Sequence, residues 1–242
     1  MESAEIPTLP VAEPMPPKDA ASTGVVVAFA GFADWQPWRK TLSESLDGAE
    51  TARVDRMRRP HDREGLAIAY GLHRWFLSQW MGVPARRVPL GRDARGCPCL
   101  PSTAWRTSLS HAEGAVAFAL TAAGPVGIDL EPWHRRDVVN EISTRILHPG
   151  DGEALSDTGL LATWVRKEAY LKAAGVGLMV DMETFAAPDG AILPLAQANA
   201  DARGDVLTRL LDLHPDYCAA LSAPPGVPVA VCRLVPAGRV PD

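Results

Sequence analysis

Residues 106–131, RTSLSHAEGAVAFALTAAGPVGIDLE, decide the fold. Three strand-like runs, RTSLSH, AVAFALT and PVGIDLE, are divided by AEG and AAG. Glycine-containing connections of that length predict hairpins, and so an antiparallel meander. Working outward, VVVAFAGF (25–32) reads as a strand and WQPWRKTLSESL (35–46) begins a helix. DREGLAIAYGLHRWFLSQWM (62–81) sets Leu66, Ala69, Tyr70, Leu72, Phe76, Leu77 and Trp80 at helical spacing, and Gly82 and Pro84 end it. RDARGCPCLP (92–101) has the composition of a loop. TGLLATWVRKEAYLKAAG (158–175) predicts a second long helix closed by Gly175. METFAA (182–187), DVLTRLLDL (205–213), DYCAALSA (216–223) and VPVAVCRL (227–234) follow as strands between turns. The order predicts an α+β fold of two similar halves, each a small antiparallel sheet with a long helix. The expected division is a disordered Pro-rich tail over 1–23, an N-terminal subdomain over 24–124 and a C-terminal subdomain over 125–242.

The 242 residues are 47% hydrophobic, enough for a sizeable folded core. The longest apolar runs, such as VVVAFA (25–30), are too short to span a bilayer. No basic segment followed by an apolar run opens the sequence, so a cytoplasmic protein without membrane contact is expected. Cys97, Cys99, Cys218 and Cys232 lack zinc-ligand spacing and read as free thiols. Net charge is −5, yet between 51 and 110 eleven arginines face only four acids. That surplus suits an anionic partner, a phosphate group or an acidic protein surface, unless it is simply a solvated helix face. Nucleic acid is argued against, because the arginines are not interleaved with aromatics and no recognition motif accompanies them.

The chemistry concentrates in three stretches. In GIDLE, Asp129 and Glu131 are two residues apart on a strand, so both project from one face while Leu130 enters the core. Adjacent carboxylates repel unless a cation lies between them, and a hard divalent ion such as Mg²⁺ takes such ligands together with phosphate oxygens. Hydrated acids at a strand end are the plain alternative. In WVRKEAYLK, Trp164, Glu168 and Lys172 recur every four residues and share a helix face, which by itself describes an ordinary surface ion pair. In SLSHAEG, His111 ends a strand and could reach the same edge as the acids. Asp151 lies in a turn ahead of the second long helix, where it reads as a cap, a loop acid or a further participant.

Taken in order, these stretches resemble the surfactin-type 4′-phosphopantetheinyl transferases. Gly127-Ile128-Asp129-Leu130-Glu131 is similar to that family's G-(I/V)-D-(I/L/V)-E, and Trp164, Lys167, Glu168, Ala169 and Lys172 to its W-x-x-K-E-(A/S)-x-x-K. Ser108-Leu109-Ser110-His111 resembles N-(I/L)-S-H, and the resemblance runs from about residue 50 to 180. It implies a pseudo-twofold pair of subdomains with coenzyme A in the cleft between them. It also implies transfer of the phosphopantetheine arm to a serine of an apo acyl-, peptidyl- or aryl-carrier protein, with release of 3′,5′-ADP. By position, Asp129, Glu131 and Glu168 would hold Mg²⁺, and Lys172 would touch the phosphates. His111 and Arg63 would bind the 3′-phosphate, with Arg56 or Arg53 nearby, and Asp151 would help activate the serine. The proton acceptor stays open among Glu168, Asp151 and a metal-bound water. The length resembles the monomeric, two-subdomain branch. Two positions depart from the pattern. Cys97 stands where the family's G-K-P turn has lysine, with Arg92 or Arg95 as substitutes, and Ser108 stands for the asparagine. A catalytically silent relative that binds carrier proteins is the rival reading.

Overall fold

Two four-stranded sheets, each backed by one long helix, organise the computed structural model, which describes residues 15–152 and 157–237. The helices are α1 (Ala20–Thr23), α2 (Phe32–Trp35), α3 (Arg39–Ser43), α4 (Gly48–Asp55), α5 (Pro60–Met81), α6 (Arg136–Glu141) and α7 (Asp157–Ala173). The strands are β1 (Val25–Gly31), β2 (Gly91–Arg92), β3 (Pro98–Cys99), β4 (Arg106–Ala112), β5 (Ala115–Thr121), β6 (Gly127–Pro132), β7 (Ala191–Pro194), β8 (Asp205–Leu211), β9 (Tyr217–Ala223) and β10 (Val229–Arg233). The first sheet runs β10-β1-β5-β4 and the second β6-β9-β8-β7, with β2 and β3 as a small ribbon.

Side-chain alternation stacks these elements in layers. Along β1, Val26, Ala28 and Ala30 join the core around Leu72 and Phe76 of α5. Val25, Val27 and Phe29 point the other way and pack with Ile128 and Leu130 of β6 and Leu221 of β9. Beyond β9, Cys218 and Ala220 meet Val165, Ala169 and Tyr170 of α7. The order across the molecule is therefore α5, first sheet, second sheet, α7. Both long helices end on a left-handed glycine, Gly82 at φ 65° and Gly175 at φ 69°, as their sequences predict.

Several expectations are corrected. The hairpin of β4 and β5 forms, with Ala112 opposite Ala115, but β6 does not extend it. Both edges of β5 are already taken by β1 and β4, so β6 opens the second sheet against β9. The first sheet is not purely antiparallel, because β10 pairs parallel to β1 and carries residues 229–233 out of the expected C-terminal subdomain. METFAA forms a short 3-10 turn at Met182–Thr184 in place of a strand. Within the expected tail, 1–14 lie outside the described residues, whereas Met15 and α1 pack on the first core, where Ala21 is fully buried.

Candidate active site

Strand β6 and helix α7 pack closely enough that a side chain at their crossing has no room. A Cβ on Gly127 would lie 1.9 Å from the Ala169 carbonyl oxygen and 2.5 Å from the Ala173 nitrogen. That approach brings Asp129 and Glu131 of β6 beside Trp164, Glu168 and Lys172, the three residues spaced by four on α7, in one cavity of about 430 Å³. Tyr70 of α5, Arg92, Ser110, His111 and Arg135 complete the walls that matter here. Asp129 is held from two sides. Ser110 Oγ donates to Asp129 Oδ1 at 2.7 Å, and Lys172 Nζ bonds the same oxygen at 2.6 Å and the Ile128 carbonyl at 3.1 Å. Ser108, in the position of the resemblance's asparagine, accepts the Ile128 N–H at 3.1 Å, so the two serines of SLSH tie the edge of one sheet to the other. Arg135 closes on Glu131 with contacts of 3.0 and 3.2 Å to its two oxygens.

Crowded carboxylates in a half-dry cavity resist ionisation. Burial first, then the charge of Asp129, raises the Glu131 carboxyl, and Arg135 draws it back. Glu168 is pushed up to about 7, by burial first and then by Asp129 and Glu131, against the pull of Lys172. His111 sits at the mouth. Desolvation by the walls, then the positive charges of Lys172 and Arg92, hold it below the usual imidazole range.

The donor set fits a hard cation in part. Asp129 Oδ2 is buried without a hydrogen-bond partner among the described residues, an orphan that a cation would satisfy. Among the described residues, however, no group of three His, Cys, Asp or Glu side chains is placed to hold a metal ion. Glu131 is engaged by Arg135 and Asp129 Oδ1 by Lys172, so the protein's own cations occupy part of the set. Mg²⁺ commonly takes one or two carboxylates and completes its shell with water and phosphate, which this arrangement suits.

The remaining expected site residues lie elsewhere. Asp151 is 5% exposed and does not line this cavity. Its oxygens accept from Ala187 N and His148 N, each at 2.8 Å, and pair with Lys167 Nζ at 2.6 Å. It is a buried counter-ion of Lys167. Arg63 is exposed in the first turn of α5 and donates to the Met57 carbonyl at 2.9 Å. Arg56 caps α4, and Arg53 lines an adjacent 210 Å³ cavity that shares Arg92 with the first. Of the cavity's wall residues, Tyr70 is expected only as an apolar helix position and Ser110 only as part of a motif, and Arg135 is not anticipated from the sequence. Ser110 had a signal, since alternation places it on the same strand face as Ser108.

Residues 125–222 match the model of the 4′-phosphopantetheinyl transferase superfamily. Over 148 residues the chain is 28% identical to the 4′-phosphopantetheinyl transferase HetI of Nostoc sp.. That alignment covers 57% of this chain and 62% of the Nostoc protein, so the chain spans under two thirds of that relative's length. No helix among the described residues is long and apolar enough to cross a membrane.

Proposed function

We propose that this chain is a surfactin-type 4′-phosphopantetheinyl transferase, moving the arm of coenzyme A to a serine of an apo acyl-, peptidyl- or aryl-carrier protein. The supporting observation is the meeting of Asp129 and Glu131 of β6 with Glu168 and Lys172 of α7, two pairs distant in sequence, around one open cavity. The superfamily match spans all four. In this reading the serine oxygen forms a bond to the β-phosphorus, the bond to the bridging diphosphate oxygen breaks, and 3′,5′-ADP leaves. Asp129 through its unpartnered Oδ2 would hold Mg²⁺ with Glu131 and Glu168 beside it, substrate phosphate and water completing the shell. When bound, the ion supplies positive charge to the diphosphate oxygens as the bond breaks.

The chain's own groups supply the rest. Lys172 offers a second positive charge, already oriented by Asp129 and the Ile128 carbonyl. Glu168 faces the same space and would accept the serine proton; Asp151, with its oxygens in use, would not. His111 at the mouth would meet the 3′-phosphate, whereas Arg63 and Arg56 stand outside the cavity. The pseudo-twofold relation of the halves, a monomeric state and a cytoplasmic location belong to this reading. What supports the first is that the molecule holds two four-stranded sheets, each backed by one long helix.

Incubating the purified protein with coenzyme A, Mg²⁺ and apo carrier domains tests the proposal. A gain of about 340 Da on the carrier, the mass of the transferred phosphopantetheine, is expected. Asp129→Asn should lower the rate by about two orders of magnitude or more, as loss of a charge-stabilising group does. Carrier binding without any mass gain would instead identify a silent relative.

A further inference from the structure

We infer that Arg92 is a phosphate-binding cation of this cavity, supplying the positive charge that Cys97 does not; the inference rests on the transferase reading above. Three cationic side chains, Arg92, Arg135 and Lys172, line the acidic cavity. Lys172 is paired with Asp129 and Arg135 with Glu131. Among the described residues Arg92 pairs with no carboxylate. It is nonetheless fixed in place. Its Nη1 donates to the Gly96 carbonyl at 2.8 Å, and its guanidinium lies 5.2 Å from the centroid of the buried Tyr70 ring.

The chain leading to it is pinned as well. Arg74, almost fully buried and paired with Glu50, donates to the Val88 carbonyl at 3.1 Å. A planar guanidinium held by one N–H and one aromatic face keeps further N–H groups for an anion, in the fork geometry that matches phosphate. The two neighbouring candidates are excluded by their surroundings. Arg95 donates to the Gly175 carbonyl at 3.2 Å and is not part of the cavity wall. The Cys97 thiol is pushed up by burial and by Asp93, so it carries no charge at neutral pH. Arg92 also lines the adjacent cavity with Arg53, and a ligand with several phosphates could reach it from either side.

Calorimetric titration of the full chain in magnesium buffer, with coenzyme A and with 3′-dephospho-coenzyme A, tests this. Arg92→Ala should weaken coenzyme A by about tenfold or more, the worth of a charge-assisted hydrogen bond. Arg92→Lys should recover part of the loss, and Arg95→Ala should bind as the wild type does. A loss that persists with the dephospho ligand assigns Arg92 to the diphosphate, and one that vanishes assigns it to the 3′-phosphate. Unchanged affinity in Arg92→Ala, or a loss that Arg92→Lys does not relieve at all, overturns the inference while the transferase reading stands. A wild-type protein that binds neither ligand overturns both.

Discussion

Lys167 and Lys172 belong to one short stretch of helix and do opposite things. Lys167 Nζ is fully buried, donating to the Ile146 carbonyl at 2.6 Å and the Met182 carbonyl at 2.8 Å while paired with Asp151. Lys172 is a quarter exposed and faces the cavity. Removing one partner of a buried pair leaves the other charged and unsatisfied, at a cost of about 3–5 kcal/mol. Lys167→Met should therefore destabilise by that order in chemical denaturation, whereas Lys172→Met should cost far less stability and, on the transferase reading, abolish transfer. Equal stability losses for the two would contradict this division. The sequence placed both lysines on α7 but left their environments open, because burial of Lys167 depends on turns at 146–151 and 181–185 that only the tertiary fold brings over it. His73 carries a pH signature of its own. Burial first, then Arg92 and Arg74, lowers its pKa to about 3, and its Nε2 sits 2.8 Å from Thr107 Oγ1. The unfolded chain binds the proton more readily, so this stability is fully present above about pH 6.5 and is lost as pH falls toward 3. At pH 5 the loss is about 2 kcal/mol, and His73→Gln should flatten that part of the denaturation–pH curve.

Strand β6 and helix α7 form the site as a unit, and Gly127 is what lets them do so. The clash at 1.9 and 2.5 Å is with backbone atoms, which cannot turn aside as a flexible side chain can. Gly127→Ala must lift β6 from α7 and with it carry Asp129 away from Lys172. A loss of about 1–3 kcal/mol, the usual cost of overpacking, should come with a fall in transfer rate larger than the stability change alone explains. Thermal melts and transfer assays on the same preparation would show it, and full activity in the variant would sink the argument. This unit was legible in outline: strand alternation put Asp129 and Glu131 together, and the spacing of four put Trp164, Glu168 and Lys172 together. What alternation does not state is the partner of a strand. The AAG connection reads as a hairpin, but Pro125 has no N–H to offer a ladder and β5 has no free edge. Ser108 and Ser110 instead link β4 to β6 through side chains, which brings the SLSH segment to the acids without a shared sheet.

Across the whole molecule the two halves are not separable at residue 124, because the chain returns. After β9 it crosses to the first sheet, where Val25 N–H donates to the Pro228 carbonyl at 2.8 Å and β10 pairs with β1 from Val229 to Arg233. A Cβ on Gly24 would stand 2.4 Å from that same carbonyl, so a glycine at this entry admits the returning strand. The closure continues past β10, where Leu234 is fully buried and its carbonyl accepts from Trp35 Nε1 at 2.9 Å. VPVAVCRL announced a strand, but nothing local in it names β1, some two hundred residues earlier, as its neighbour. A chain ending at Pro225 should lose the β10 edge and the seal over Trp35 together. Amide exchange should then accelerate along β1, whose outer hydrogen bonds go to β10, while β8 and β9, whose partners lie within the second sheet, stay protected. Because the second sheet rests on Val25, Val27 and Phe29 of β1, the loosening should also lower the global melting temperature. Unchanged exchange in β1 after truncation would mean that β10 decorates the first sheet without stabilising it.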